Sequence, residues 1–144
     1  MNAPGKLIEE ALAGIAQLLA SLGFPRSCAR ILAALYLAST PLSSRELAEM
    51  TGYSKSAISA ALKALEGSHL ILRLRRGRVS TYAPAISLSN LVAEVQARLL
   101  ERIRARIRRL GHQVNSSLSA KLHSLDDELS TLIMKLRGER GEGG

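Results

Sequence analysis

The sequence predicts a mainly α-helical fold, and three observations carry that prediction. Aromatic residues make up 3% of the chain and Trp is absent, while Leu and Ala fill the apolar positions, a bias that favours helices over sandwiches and barrels. Apolar residues recur at helical spacing through most of the 144 residues, with capping residues and glycines as punctuation. Only one short region, around residues 70–82, has the composition of paired strands.

Taken in order, residues 7–22 place Leu7, Ala11, Ile15, Leu18, Leu19 and Leu22 on one face of a helix. Gly23 ends it, and Pro25 suits the first turn of the next, about 25–38, which is apolar on most sides and is expected to be a central buried helix. Ser43 with Glu46 three residues on forms a capping box opening a short helix that buries Leu47 and Met50. After the tight turn Thr51-Gly52-Tyr53, Ser54 caps a helix with core residues Ile58, Ala61, Leu62 and Leu65. Two short helices joined by a Gly-containing turn form a helix-turn-helix.

Leu70–Leu74 and Val79–Tyr82 read as two strands joined by Arg75-Arg76-Gly77-Arg78, with Gly at the tip and Pro84 closing the hairpin. Helical spacing returns from Ser89, with Val92, Leu99, Ile103, Ile107 and Leu110 as a seam. It continues through Leu118, Leu122, Leu125, Leu129, Leu132 and Leu136 at coiled-coil-like steps. Gly111 and Asn115-Ser116-Ser117 interrupt it, so residues 89–137 form one helix or two. Ser124 followed by Asp126-Asp127-Glu128 reads as the capped, acidic first turn of the last helix. Residues 138–144 contain four glycines and are expected to form a flexible tail.

Charge is concentrated. The chain carries a net +8, and residues 73–109 alone hold ten arginines against two glutamates, a balance that accounts for the whole excess. A field localised in this way suits a polyanionic partner, nucleic acid before membrane surface. Other classes fall away. Cys28 is the single cysteine, which excludes a disulfide framework and a Cys-based zinc site. It is expected to be a small core residue rather than a redox sensor. His69, His112 and His123 share no metal-ligand spacing, no glycine-rich phosphate loop follows a strand, and no nucleophile stands near a base. Neither enzyme activity, metal nor cofactor is expected. The longest apolar run, Ile31–Ala38, is about half a membrane span, and Glu9 and Glu10 interrupt what a signal peptide would keep apolar, so a cytoplasmic, nucleoid-associated protein is expected.

A helix-turn-helix followed by a basic hairpin has the layout of a winged helix, here over residues 25–85, between an N-terminal packing or dimerisation helix (1–24) and C-terminal dimerisation helices (86–144). Gly23-Phe24-Pro25-Arg26-Ser27, Pro41-Leu42-Ser43-Ser44-Arg45-Glu46-Leu47-Ala48, Ser54-Lys55-Ser56-Ala57-Ile58-Ser59, Leu62-Lys63-Ala64-Leu65-Glu66 and Tyr82 resemble the MarR-type winged-helix regulators, the GbsR-like branch most of all. The resemblance spans about residues 20–85. It implies a homodimer on double-stranded DNA with terminal helices as the dimer interface, and it leaves room for a small-molecule effector whose pocket no residue pattern marks. His69 stands where that family usually has Gly, a departure that leaves room for a differently shaped turn, although His can occupy a left-handed conformation.

The residues agree with that layout. With the core face assigned, Ser54, Lys55, Ser56, Ser59, Ala60 and Lys63 face outward, a small polar surface that fits a major groove. It lacks the Arg, Asn or Gln that would pair bidentately with guanine or adenine. Arg73, Arg75, Arg76 and Arg78 crowd the wing and are suited to phosphates and a narrow minor groove, or to keeping a strand edge charged; alternation of side chains turns Arg73 toward the domain in one arrangement. Arg98, Arg102, Arg106 and Arg109 flank the helical seam, with Arg104 and Arg108 on its other side; they either border a dimer interface or add DNA contacts. Unpaired seams at both ends predict dimerisation through Ile15, Leu18, Leu22, Leu99, Ile103, Ile107, Leu122, Leu125, Leu129, Leu132 and Leu136. A sequence-specific regulator is the first reading; an architectural DNA-coating protein is the second, because bidentate readers are missing while Arg is abundant.

Overall fold

A computed structural model describes residues 3–142. It contains six helices and a three-stranded antiparallel sheet, and it separates into two compact units, Met1–Ser87 and Leu88–Gly144.

The first unit is built on α2 (Arg26–Leu37), whose Cys28, Ile31, Leu32 and Leu35 are buried with the small Ala29, Ala33 and Ala34 between them. Burial pushes the Cys28 thiol up in pKa. Helix α1 (Ala3–Ser21) packs along α2 through Leu12 and Leu19, both fully buried. Of the predicted face Leu19 is buried, but Leu7, Ala11 and Leu18 are exposed and Ile15 and Leu22 half-buried, and the buried Leu12 was not among the predicted residues. An apolar stripe too wide for one neighbour leaves its outer flank in solvent.

Helix α3 (Ser44–Thr51) opens with the predicted capping box, Ser43 Oγ accepting from the Glu46 amide at 3.2 Å and Glu46 Oε1 from the Ser43 amide at 2.9 Å. Gly52, at φ +78°, ends α3, and Ser54 caps α4 (Lys55–Gly67) by accepting from the Ala57 amide. Ile58, Ala61, Leu62 and Leu65 of α4 are buried as predicted. Met50 is only half-buried; Thr51, buried beside it in sequence, closes the turn by donating to the Leu47 carbonyl.

The sheet has the order β1-β3-β2, with β1 Leu42–Ser43, β2 Ile71–Arg76 and β3 Val79–Pro84. The two-residue β1, with no signal in so short a segment, was not predicted; it adds to the inner edge of the hairpin through Leu42↔Tyr82 and Ser43↔Thr81. The hairpin is also longer than predicted. Arg76 pairs with Val79, so the loop is Gly77-Arg78 alone and Arg75 and Arg76 belong to a strand. Gly77 has φ +65° at the first loop position and supplies the tight turn. Pro84 pairs with Ile71 as the last residue of β3 rather than lying beyond it.

In the second unit α5 (Leu88–Gly111) and α6 (Ser116–Glu142) form an antiparallel hairpin, so residues 89–137 are two helices. Asn115 begins α6, its side chain accepting from the Leu118 amide at 2.9 Å. The last helix therefore starts eight residues before Ser124, and Asp126 lies in its interior, not in a first turn. The carboxylate is buried and bridges to α5, with Arg104 Nε at 2.8 Å and Arg108 Nε at 3.3 Å. The six-leucine series of α6 does not act as one seam. Leu118, Leu125 and Leu132 are exposed, whereas Leu122, Leu129 and Leu136 are half-buried in the hairpin, where Asp126 and Ile133 are its buried positions. Helix α6 runs through Gly138 to Glu142, where a flexible tail was predicted; the final two glycines lie outside the described residues.

Candidate nucleic-acid interface

Four outward residues of α4, Lys55, Ser56, Ser59 and Lys63, are exposed together with the cap Ser54, as their spacing predicts. Ser54 Oγ is engaged by the Ala57 amide and lies 3.2 Å from Ser56 Oγ, so the cap and its neighbour form a small hydroxyl pair at the start of the helix. Among the described residues neither Lys55 nor Lys63 has an ion-pair partner, and no large side chain rises between them. The face can therefore approach another surface closely, with a cation toward either end.

The wing is less uniform than four neighbouring arginines suggest. Cross-strand pairing puts Ile71, Arg73, Arg75, Ser80 and Tyr82 on one face of the ribbon and Leu72, Leu74, Arg76, Val79 and Thr81 on the other. Arg73 turns back to the domain: its Nη2 is 2.9 Å from Glu66 Oε1 at the end of α4, and its guanidinium carbon lies 5.6 Å from the centre of the Tyr82 ring. Arg76 turns to the start of α3, with Nη2 2.6 Å from Glu46 Oε1. The Ser43 backbone amide and then the Arg76 guanidinium hold the Glu46 carboxyl down at about 2, well below the usual carboxylate range. Among the described residues Arg75 and Arg78 make no ion pair, and both are exposed.

Two acidic residues thus complete the site, and sequence reasoning missed the larger part of their role. Glu46 was visible as a capping acid, but its second partner is 30 positions away. Glu66 stands seven residues before Arg73, and nothing local marks it until the hairpin folds back on α4.

The α3-turn-α4 motif with the β2–β3 hairpin beside it forms a winged helix. Residues 22–80 match the model of the MarR family. That match spans the helix-turn-helix and most of the wing and leaves α1 and the α5–α6 hairpin outside. A crystallised transcriptional regulator aligns over 94% of this chain and 96% of its own, with TM-score 0.68 and 19% identity, which shows a shared fold that includes the terminal helices. MepR, a transcription regulator of the Staphylococcus aureus multidrug efflux pump MepA, aligns over 91% of this chain and 96% of its own at 19% identity with TM-score 0.46. No curated protein matches the chain.

The helical arginines also sort themselves. Arg104 and Arg108 bind Asp126, Arg98 lies 3.2 Å from Glu94, and Arg137 reaches Glu94 and Glu101. Arg102, Arg106 and Arg109 have no ion-pair partner among the described residues. Among the described residues no group of three or more His, Cys, Asp or Glu is arranged to hold a metal ion, and no helix is long and apolar enough to cross a membrane.

Proposed function

We propose that this protein is a homodimeric winged-helix transcriptional regulator that binds double-stranded DNA. The observation that carries the reading is the pairing of an exposed, small-residue α4 face with two wing cations, Arg75 and Arg78, that have no ion-pair partner among the described residues. Ser54, Lys55, Ser56, Ser59 and Lys63 contact the major groove and its flanking phosphates; Arg75 and Arg78 lie along the backbone or in the minor groove. Arg73 and Arg76 belong to the same ribbon.

Dimerisation is supported by apolar surface left open on the terminal helices: Leu18 of α1, Leu99 and Ile103 of α5, and Leu125 and Leu132 of α6 are each more than a third exposed. Ile15, Leu22, Ile107, Leu122, Leu129 and Leu136 are half-buried at the margins of these stripes and complete the interface. Two-fold symmetry then gives an inverted-repeat site with half-sites about one helical turn apart. Assignment to the GbsR-like branch, a cytoplasmic location on the nucleoid, and a small-molecule effector accompany this reading as its finer parts.

The test is competition between genomic fragments at fixed salt, with the fragment upstream of the protein's own coding region included. One fragment bound about a hundredfold more tightly than bulk DNA is the expected result. The absence of Arg, Asn and Gln from α4 favours a second reading, an architectural DNA-binding protein with little sequence preference. Uniform affinity with steep salt dependence would establish that reading instead.

A further inference from the structure

We infer that Glu46 and Arg76 form a latch that sets the angle of the wing against α3, and that Arg76 serves DNA binding as a positioning residue rather than as a phosphate contact. The inference rests on the DNA-binding reading above and divides the wing cations by function.

One carboxylate oxygen carries the latch. Glu46 Oε1 accepts both from the Ser43 amide at 2.9 Å and from Arg76 Nη2 at 2.6 Å. Ser43 is itself a junction: its backbone lies in β1 opposite Thr81 of β3, and its hydroxyl caps α3. A single oxygen atom therefore ties the first turn of α3, the inner strand and the far end of β2 together. Strand alternation makes this possible for Arg76 and impossible for Arg75, whose side chain leaves the opposite face of the ribbon.

The opposite face has its own brace. Arg73 joins β2 to the end of α4 through Glu66 while lying over Tyr82. The ribbon is thus held from both sides, to the start of α3 and to the end of α4. A two-stranded ribbon has little rigidity of its own, so these anchors fix where its tip points. Had Arg76 instead left Glu46 for a phosphate, a bare carboxylate would remain beside the DNA backbone, where like charge repels it.

The two roles predict opposite signs for one substitution. Glu46→Gln keeps an acceptor for the Ser43 amide and removes the charge that holds Arg76. With Arg76 as a positioning residue, the variant binds duplex DNA about two- to tenfold more weakly, the cost of ordering one or two long side chains on binding, with an unchanged slope of log K against log salt. Arg76→Gln weakens binding to a similar degree, also at constant slope, and the double variant is no worse than Arg76→Gln alone. Tighter binding by Glu46→Gln, or a slope about 0.9 shallower in Arg76→Gln, would overturn the latch and make Arg76 a phosphate contact.

Should Glu46→Gln fail to fold, the slope of Arg76→Gln decides alone. Hydrogen exchange of the free protein separates this inference from the reading beneath it. The latch predicts faster exchange of the β2–β3 amides in both single variants and unchanged exchange in Arg78→Ala. Loss of all duplex binding by the natural protein would sink the DNA reading and leave the exchange result standing; unchanged exchange would sink the latch.

Discussion

Two helices in this protein end in the same motif with different residues at its critical position, and exchanging their chemistry should move stability in opposite directions. Helix α1 closes with Gly23 N→Ala20 O at 3.0 Å and Phe24 N→Leu19 O at 3.2 Å; α4 closes with His69 N→Glu66 O and Leu70 N→Leu65 O, both at 3.0 Å. Each is a paired-bond C-terminal cap with a left-handed residue, Gly23 at φ +108° and His69 at φ +60°. A side-chain-bearing residue in that conformation costs about 1–2 kcal/mol, while Gly returns roughly 0.5–1 kcal/mol through the greater freedom of the unfolded chain. His69 is exposed, so little packing is lost with its ring. His69→Gly is therefore expected to stabilise by about 0.5–1 kcal/mol, a rise of roughly 2–6 °C in Tm for a unit of this size. Gly23→Ala places its new methyl in open space, yet is expected to destabilise by at least about 1 kcal/mol for conformational reasons alone. Urea and thermal unfolding read both. Equal signs for the two variants, or no change in His69→Gly, would refute the account.

Other outcomes follow from the same residues. Ile58→Ala, which empties a fully buried position beneath the α4 face, should cost about 2–5 kcal/mol in urea unfolding. Alanine at Arg75 and Arg78 together should flatten the salt dependence of duplex binding by about 1.8 in slope if each holds one phosphate; fluorescence anisotropy across a salt series measures it. Glu46 titrates near 2 in the folded chain against 4.5 when unperturbed, so its contribution is complete above pH 4.5 and is lost as pH falls toward 2. Glu46→Gln should remove that part of the acid limb from a plot of urea midpoint against pH. Asp126, lowered chiefly by its hydrogen bond from Arg104, contributes in the same direction, with stability lost on acidification below its ordinary range. Asp126→Asn should accordingly leave a shallower acid limb.

What the sequence discloses here is whatever neighbouring residues decide. The Ser43–Glu46 box, the Ser54 cap and the buried face of α4 follow from side chains within four positions, and each is found as read. His69 stands where the resembling family usually has Gly, and it adopts the left-handed conformation, φ +60°, that His can occupy. Non-local pairing was the limit. Leu42–Ser43 becomes a strand only because β3 lies beside it, and the hairpin loop shrinks to two residues because Arg76 finds Val79. The leucine series of α6 shows the same limit: a period identifies an apolar stripe, but not that α5 takes one margin and leaves the other open. Within the wing, four arginines look alike in a string of letters. Alternation and two distant glutamates distinguish those held by the fold from those left free.

The order β1-β3-β2 leaves β2 as an outer strand with one row of backbone groups unpaired, and Leu72 and Leu74 on that strand are 51% and 43% exposed. A short, apolar, unpaired strand invites other chains to add to it, and the arginines interleaved along it are what discourages them. That guard is electrostatic and reaches about 10 Å at 0.1 M salt but only about 3 Å at 1 M. The concentrated salt ordinarily used to strip nucleic acid from a basic protein would thus also disarm its own solubility. Turbidity of the purified protein should increase as salt is raised, the reverse of what its affinity for polyanions would suggest, and Leu74→Ser, which removes exposed apolar surface without relying on charge, should reduce that increase.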